Sequence, residues 1–326
     1  MMNADCYPLC FTPVYQDYPW GGDAIIRRYR RQVPPGIYAE SWEVSDRAEG
    51  MSVVCNGPLA GRTLADVITL WGSDLLGVVA AANRFPLLIK LLDARATLSV
   101  QVHPDDQRAD RYGGEAKTEM WYILDAAPDA AVYAGLKQQI DPATFRQRAI
   151  DGTLEPLLNR VPVRPGDAVF MPGGRVHAIG AGCLLLEVQQ NSDTTYRIYD
   201  WGRVGYDGKP RALHLDEALA VIDRTPVTEA LAVPRRLDGE GRNERWEVLD
   251  SPWFRLERLN LREEWTLMHD GSSFQVIFVA DAPLRLAWDG QFLDLAPGTS
   301  CLIPAALTTC RLVPQHETAW VLRIMA

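Results

Sequence analysis

The sequence predicts a mainly β protein, two β-barrel units with a few short helices, and three observations carry that prediction. Short runs with period-two alternation fill most of the chain and are cut by Asp151-Gly152, Asp207-Gly208, Asp270-Gly271 and Asp289-Gly290, the punctuation of antiparallel sheet. A polar, irregular stretch from Thr225 to Arg245, with Pro226, Pro234, Asp238-Gly239 and Gly241, reads as a linker. It separates a first unit with an N-terminal extension, residues 1–235, from a small all-β unit, residues 246–326. Finally, Pro165-Gly166-Asp167-Ala168-Val169-Phe170-Met171-Pro172 matches Pro297-Gly298-Thr299-Ser300-Cys301-Leu302-Ile303-Pro304, a weak internal repeat in which Pro-Gly starts a turn before each strand.

Taken in order, three stretches depart from strand periodicity. Leu64 to Leu76 follows a capping Thr63, Pro142 to Ile150 follows Asp141 with proline at the first helical position, and His214 to Ile222 completes the set. Strands are expected at Leu98 to His103, Lys117 to Leu124 and Leu184 to Asn191. Beyond the linker they are expected at Phe254 to Leu261, Phe274 to Ala280, Leu284 to Trp288, Phe292 to Leu295 and Trp320 to Ile324. Extending the repeat places Thr309 opposite His177, so the second copy lacks that histidine and is expected to be structural.

Composition narrows the function. The 326 residues carry 33 Lys plus Arg against 42 Asp plus Glu, a net charge of −9, so no basic stripe is offered to nucleic acid. No apolar run reaches the roughly 18 residues a membrane helix needs, and Met1 to Pro8 lacks the features of a secretory signal, so a cytoplasmic protein is expected. Six cysteines without Cys-x-x-Cys spacing indicate neither a disulfide framework nor a thiolate metal site, and Cys6 and Cys10 read as small hydrophobes. A metal would therefore need nitrogen and oxygen ligands.

Strand parity supplies them. In Leu98 to His103, Leu98, Val100 and Val102 share one face and Ser99, Gln101 and His103 the other. Lys117, Glu119, Trp121 and Ile123 share a face, so a buried Glu119 has an ammonium beside it. His177 follows the turn Pro172-Gly173-Gly174, and Glu187, Gln189 and Asn191 oppose Leu184, Leu186 and Val188, a parity that runs on through Asp193, Thr195 and Arg197. Two imidazoles, a carboxylate and an amide oxygen suit zinc, iron or manganese better than calcium or magnesium. His214, His269 and His316 read as structural.

Gln101-Val102-His103-Pro104, Lys117-Thr118-Glu119-Met120-Trp121-Tyr122 and Pro172-Gly173-Gly174-Arg175-Val176-His177-Ala178 together resemble a cupin metal site. With Glu187 to Arg197, Tyr18-Pro19-Trp20-Gly21-Gly22 and Glu40-Ser41-Trp42-Glu43-Val44-Ser45, the chain from about residue 10 to 220 resembles type I mannose-6-phosphate isomerases in their short bacterial form. The resemblance implies two cupin-type jelly-roll barrels and one zinc ion on Gln101, His103, Glu119 and His177. It implies a catalytic arginine at Arg197 and substrate-pocket positions at Trp20, Ser99, Lys117, Glu187 and Asp193. Arg203 falls where longer members hold the phosphate with a lysine, and their helical insertion between the two units is absent here. The implied reaction interconverts mannose 6-phosphate and fructose 6-phosphate through a cis-enediol. Its base is open among Glu187, Lys117 and His103, with Arg197 and Lys117 expected to assist proton transfer. An iron-dependent cupin dioxygenase and a sugar-binding regulator without turnover are the rival readings. The sequence sets neither pathway nor oligomeric state.

Overall fold

The computed structural model describes residues 6–79, 83–205 and 208–326, so Asp207 of one expected turn lies outside the described residues. Gly152, Gly208, Gly271 and Gly290 all take positive φ, between 69° and 77°, the conformation for which glycine is used in tight turns. The chain is mainly β with short helices. No helix among the described residues is long and apolar enough to cross a membrane.

Two compact units form, and neither is continuous in sequence. One contains Tyr15–Ser41 and Ile89–Ala232; the other contains Trp42–Leu88, Val233–Ala326 and the residues up to Val14. This departs from the expected division into 1–235 and 246–326. Leu9–Thr12 hydrogen-bonds antiparallel to Ser300–Ile303, with Leu9 opposite Leu302 and Cys10 opposite Cys301, so the start of the chain belongs to the C-terminal sheet. The stretch expected to be a linker contributes the strand Arg235–Leu237, paired with Glu244–Asp250.

In the site-bearing unit a six-stranded sheet runs Ala168–Met171, Glu119–Ala126, Cys183–Gln190, Leu87–Ala94, Glu40–Val44, Val14–Gln16. A five-stranded sheet runs Tyr196–Tyr199, Val100–Val102, His177–Ile179, Ala131–Leu136, Leu158–Pro162. Both sheets are open, so the expected closed barrel is corrected to a double sheet. One apolar cluster joins them, drawing Trp121, Ile123 and Leu185 from the first and Val132, Ala134 and Ile179 from the second. A second cluster lies on the other face of the five-stranded sheet. There Val100 and Val102 pack with Phe145 and Ala149 of the helix Pro142–Ile150 and with Ala218 and Val221 of the helix Leu215–Val221. Burial on this face turns Gln101 and His103 toward the interior between the sheets. Leu98 departs from the expected parity and packs in the inter-sheet cluster, because the strand starts only at Val100.

The remaining unit has an eight-stranded sheet, in the order Arg235–Leu237, Glu244–Asp250, Arg255–Leu261, Ala319–Met325, Gln275–Val279, Ser300–Ile303, Leu9–Thr12, Val53–Val54. Its second sheet runs Trp265–Met268, Thr309–Pro314, Leu284–Trp288, Gln291–Leu295. It too is open. The helix expected at Leu64 to Leu76 is two helices, Leu64–Trp71 and Ser73–Leu76, broken where Gly72 takes φ +50° and ψ −118°. Two further helices, Ala24–Tyr29 and Asp106–Tyr112, were not among the expected ones. In the second, the Asp105 side chain accepts from the Arg108 N–H and turns a strand-ending aspartate into an N-cap.

Candidate metal centre

Gln101 lies opposite His177 on one neighbouring strand and opposite Arg197 on the other, so an imidazole, an amide and a guanidinium form a row on one face. On the opposing sheet Glu119 lies between Met171 and Gln189, and Trp121 lies opposite Glu187. The turn Pro172-Gly173-Gly174 holds the two rows in place. Gly174 N–H donates to the His103 carbonyl at 2.7 Å and Gly173 N–H to Thr118 Oγ1 at 3.2 Å. A Cβ on Gly173 would stand 2.5 Å from the Asp105 backbone, so only glycine permits this approach.

At the centre, His103 Nε2 is 3.6 Å from Glu119 Oε2 and His177 Nε2 is 3.3 Å from Glu119 Oε1. The Gln101 amide nitrogen is 3.4 Å from His177 Nε2, and a half-turn of the amide would present its oxygen instead. Each imidazole uses Nδ1 elsewhere: His103 on the Thr194 carbonyl at 2.7 Å and His177 on the Arg175 carbonyl at 2.8 Å. Nδ1 therefore carries the proton, and Nε2 turns a lone pair toward the carboxylate. His103 Nε2 and Glu119 Oε1 are buried and make no hydrogen bond, and Glu119 Oε2, equally buried, has the Lys117 ammonium 3.1 Å away. Acceptors that face acceptors in a dry interior repel unless a cation or proton lies among them. His103, Glu119 and His177 are thus a fitting ligand set for a divalent ion, the amide of Gln101 adding a fourth.

The charges agree. Burial pushes the His177 imidazole down to about 4 and holds His103 well below its usual range. Burial raises Glu119 to about 7, although the Lys117 ammonium, 3.1 Å from Oε2, works against the shift. In the metal-free protein at about pH 6 the imidazoles are neutral and Glu119 holds a proton, which an incoming ion must displace. Calorimetric titration of metal in buffers of different ionisation enthalpy should show release of about one proton per ion at about pH 6, and close to none at about pH 8.5. Release of two or more at about pH 6 would mean that the histidines are charged before metal arrives.

Lys90 was not singled out from sequence. It is the lone lysine in Leu87-Leu88-Ile89-Lys90-Leu91-Leu92, a strand buried along its whole length. Its ammonium lies 3.3 Å from Glu40 and 3.5 Å from Glu187. Burial opposes that charge, but the carboxylates of Glu40, Glu187 and Glu119 hold the group above the usual lysine range. Conversely, burial opposes the Glu187 carboxylate, but Lys90, Lys117 and the Trp121 indole N–H, which donates at 3.1 Å, hold it ionised. The signal in the sequence was a lone charge within the hexad Leu87 to Leu92, which demands a buried partner.

The other predicted residues fall in different settings. Lys117 and Ser99 are buried, and Asp193 is exposed, its backbone N–H donating to Glu115 at 3.2 Å. Trp20 is 4% exposed and sits in the inter-sheet core, stacked on Tyr18 at 5.6 Å. Burial raises the phenol of Tyr18, on which the charges of Glu40, Lys90, Asp193 and Arg211 also act. Arg197 donates through Nη1 to the Ala212 carbonyl at 3.0 Å, while its buried Nε makes no hydrogen bond. Arg203 is engaged by the Thr97 carbonyl and by Asp200 at 2.6 Å, and Arg211 grips both oxygens of the same carboxylate at 2.7 Å.

Fold and site together define a β protein of two double-sheet units, one of which carries a buried set of candidate metal ligands. Residues 9–133 match the family described as phosphomannose isomerase type I, catalytic domain. The mannose-6-phosphate isomerase ManA of Bacillus subtilis is 43% identical over 230 residues, 68% of this chain and 70% of that protein. A mannose-6-phosphate isomerase of Streptococcus mutans is 38% identical over 236 residues, 72% and 73% of the two chains. The crystal structure of the mannose 6-phosphate isomerase from Bacillus subtilis superposes with a TM-score of 0.88 at 30% identity, covering 97% of this chain and 99% of that one. The chain belongs to the type I phosphomannose isomerase family.

Proposed function

We propose that this enzyme interconverts mannose 6-phosphate and fructose 6-phosphate through a cis-enediol, at a zinc ion held by Gln101, His103, Glu119 and His177. The observation that carries the reading is the convergence of two buried, unsatisfied acceptors, His103 Nε2 and Glu119 Oε1, in a chain of this family. We read both units as cupin-type double sheets. When bound, zinc supplies positive charge and Lewis acidity beside the sugar oxygens.

This chain's own residues divide the remaining work. The reaction moves a proton between the first two carbons, so one group must take it and donors must face the oxygen that becomes negative. His103 is a poor base, since Nδ1 is bonded to the Thr194 carbonyl and Nε2 belongs to the ligand set. Glu187, held ionised by Lys90 and Lys117, orients the pocket better than it abstracts a proton. Lys117, 3.1 Å from Glu119, is the group we assign to proton transfer, accepting the proton only as the free amine and returning it as the ammonium, and the Nε of Arg197, without a hydrogen bond, is a donor for the enediolate oxygen. Ser99, Trp20 and Asp193 shape the sugar pocket. With Asp200 neutralising only one of two guanidiniums, Arg203 and its neighbour Arg211 leave a net positive charge for the phosphate.

Isomerisation run in deuterium oxide tests the route. Product carrying solvent deuterium at the carbon that gains the proton is the expected result, because an enediol step passes the proton through an exchangeable protein group. Turnover with no solvent deuterium would instead indicate a hydride shift, and absence of turnover in zinc-loaded protein would remove the assignment.

A further inference from the structure

The two units repeat each other strand by strand, and the repeat inverts the charge of the site. In the site-bearing unit the strand order Val14–Gln16, Glu40–Val44, Leu87–Ala94, Cys183–Gln190, Glu119–Ala126, Ala168–Met171 is matched in the other unit. There it reads Arg235–Leu237, Glu244–Asp250, Arg255–Leu261, Ala319–Met325, Gln275–Val279, Ser300–Ile303. Register makes the match residue-specific. Glu119 lies opposite Met171 and Gln189, and Gln275 lies opposite Ile303 and Met325. Glu187 lies opposite Trp121 just as Arg323 lies opposite Ile277. Gln101 pairs with His177 as Met268 pairs with Thr309, and Asp270 follows Met268 as His103 follows Gln101. None of the four ligand types survives at its own position.

The ion triplet is reversed as well. Lys90 lies between Glu40 and Glu187, whereas the fully buried Glu257 lies between Arg245, at 2.6 and 3.0 Å, and Arg323, at 3.1 Å. A cavity of about 510 Å³ occupies this place, lined among others by Gln275, Arg245, Arg255 and Arg323 together with the exposed Asp250 and Asp270. Its guanidiniums are only partly used. Arg323 donates Nε to Gln275 at 2.6 Å and Nη1 to Glu257, and Nη2 makes no hydrogen bond among the described residues. Arg245 spends Nε and Nη2 on Glu257 and leaves Nη1 over. Arg255 spends Nη2 on Glu247 at 2.6 Å, and its buried Nε makes no hydrogen bond but lies in ion-pair range of Glu257, at 3.5 Å. Asp270 is committed to the Ser272 N–H at 2.9 Å, and His269 to the Leu307 carbonyl and the Gly271 N–H. Spare guanidinium donors around a walled cavity recognise an oxyanion.

We propose that this cavity is a second ligand site, in which Arg245, Arg255 and Arg323 bind the phosphate or carboxylate group of a small metabolite. The second unit is then an anion-binding copy of the metal-bearing one rather than a purely structural remnant.

Calorimetric titration of the full chain with inorganic phosphate, and separately with succinate, tests it. Wild-type protein is expected to show a binding event that Arg255→Gln weakens about tenfold or more, with isomerisation in the absence of added anion unchanged. The stronger of the two probes identifies the group. The companion variant is Arg245→Gln, at a side chain 29% exposed whose loss leaves Glu257 its contact with Arg323 at 3.1 Å; it should weaken the same event. Isotherms of both variants that superimpose on wild type, or no event beyond the site-bearing unit's own in wild type, overturn the proposal. The titration decides this whether or not the first unit isomerises the sugar.

Discussion

Glu119→Gln should strip the protein of its metal and lower kcat by more than about a hundredfold, beyond the loss that removing an outer hydrogen bond to a ligand brings. The substitution keeps the volume of a wholly buried side chain but removes the charge on which His103 and His177 converge at 3.6 and 3.3 Å. Stability of the metal-free protein should barely change. Burial already raises the Glu119 carboxyl to about 7, so a neutral side chain there resembles the protonated form the fold tolerates. Metal analysis, turnover and urea denaturation of the chelated protein separate these effects. Undiminished metal content would place the ion elsewhere, and a collapse of metal-free stability would make Glu119 a structural residue.

Lys90→Met is expected to destabilise the protein by about 3–5 kcal/mol near pH 8, the usual consequence of leaving a buried charge without its partner. Glu40 and Glu187, with side chains 12% and 5% exposed, would then face each other without the ammonium that lies 3.3 and 3.5 Å from them. The pH dependence has a definite sign. In wild type the depressed Glu187 carboxyl contributes stability above its unfolded value of about 4.5 and loses it as pH falls through the folded value. Without Lys90 burial dominates, the folded value rises above the unfolded one, and the variant is relatively most stable at low pH, losing stability as pH rises. Urea denaturation at about pH 5 and about pH 8 should therefore show a small difference from wild type at the first and a large one at the second. Adding Glu187→Gln should restore part of the loss. A deficit that does not vary with pH would point to packing rather than charge.

Lys90 also marks where reading by sequence stops. Period-two parity is a local property, so the opposite facing of Val100 and Val102 against Gln101 and His103 was legible within four residues, as was the shared face of Glu119, Trp121 and Ile123. The helix Pro142–Ile150 was legible for the same reason, since its cap and its first-turn proline are adjacent. The strand after each Pro-Gly of the internal repeat was legible too, and both strands occupy matching sheet positions. Partners across the fold were not. Lys90 meets residues 50 positions before and 97 after it, and Leu9–Thr12 finds its sheet near residue 300. Nor could spacing show that Arg203 shares Asp200 with Arg211, or that the sheets stay open.

The most direct test is turnover of mannose 6-phosphate against zinc added per chain, starting from chelated protein. Activity should be absent at the start, rise in proportion to zinc and level off at about one ion per chain, as expected for a single set of ligands on one unit. Full turnover in protein stripped of metal, or a plateau that requires several ions per chain, would contradict a single catalytic centre at His103, Glu119 and His177.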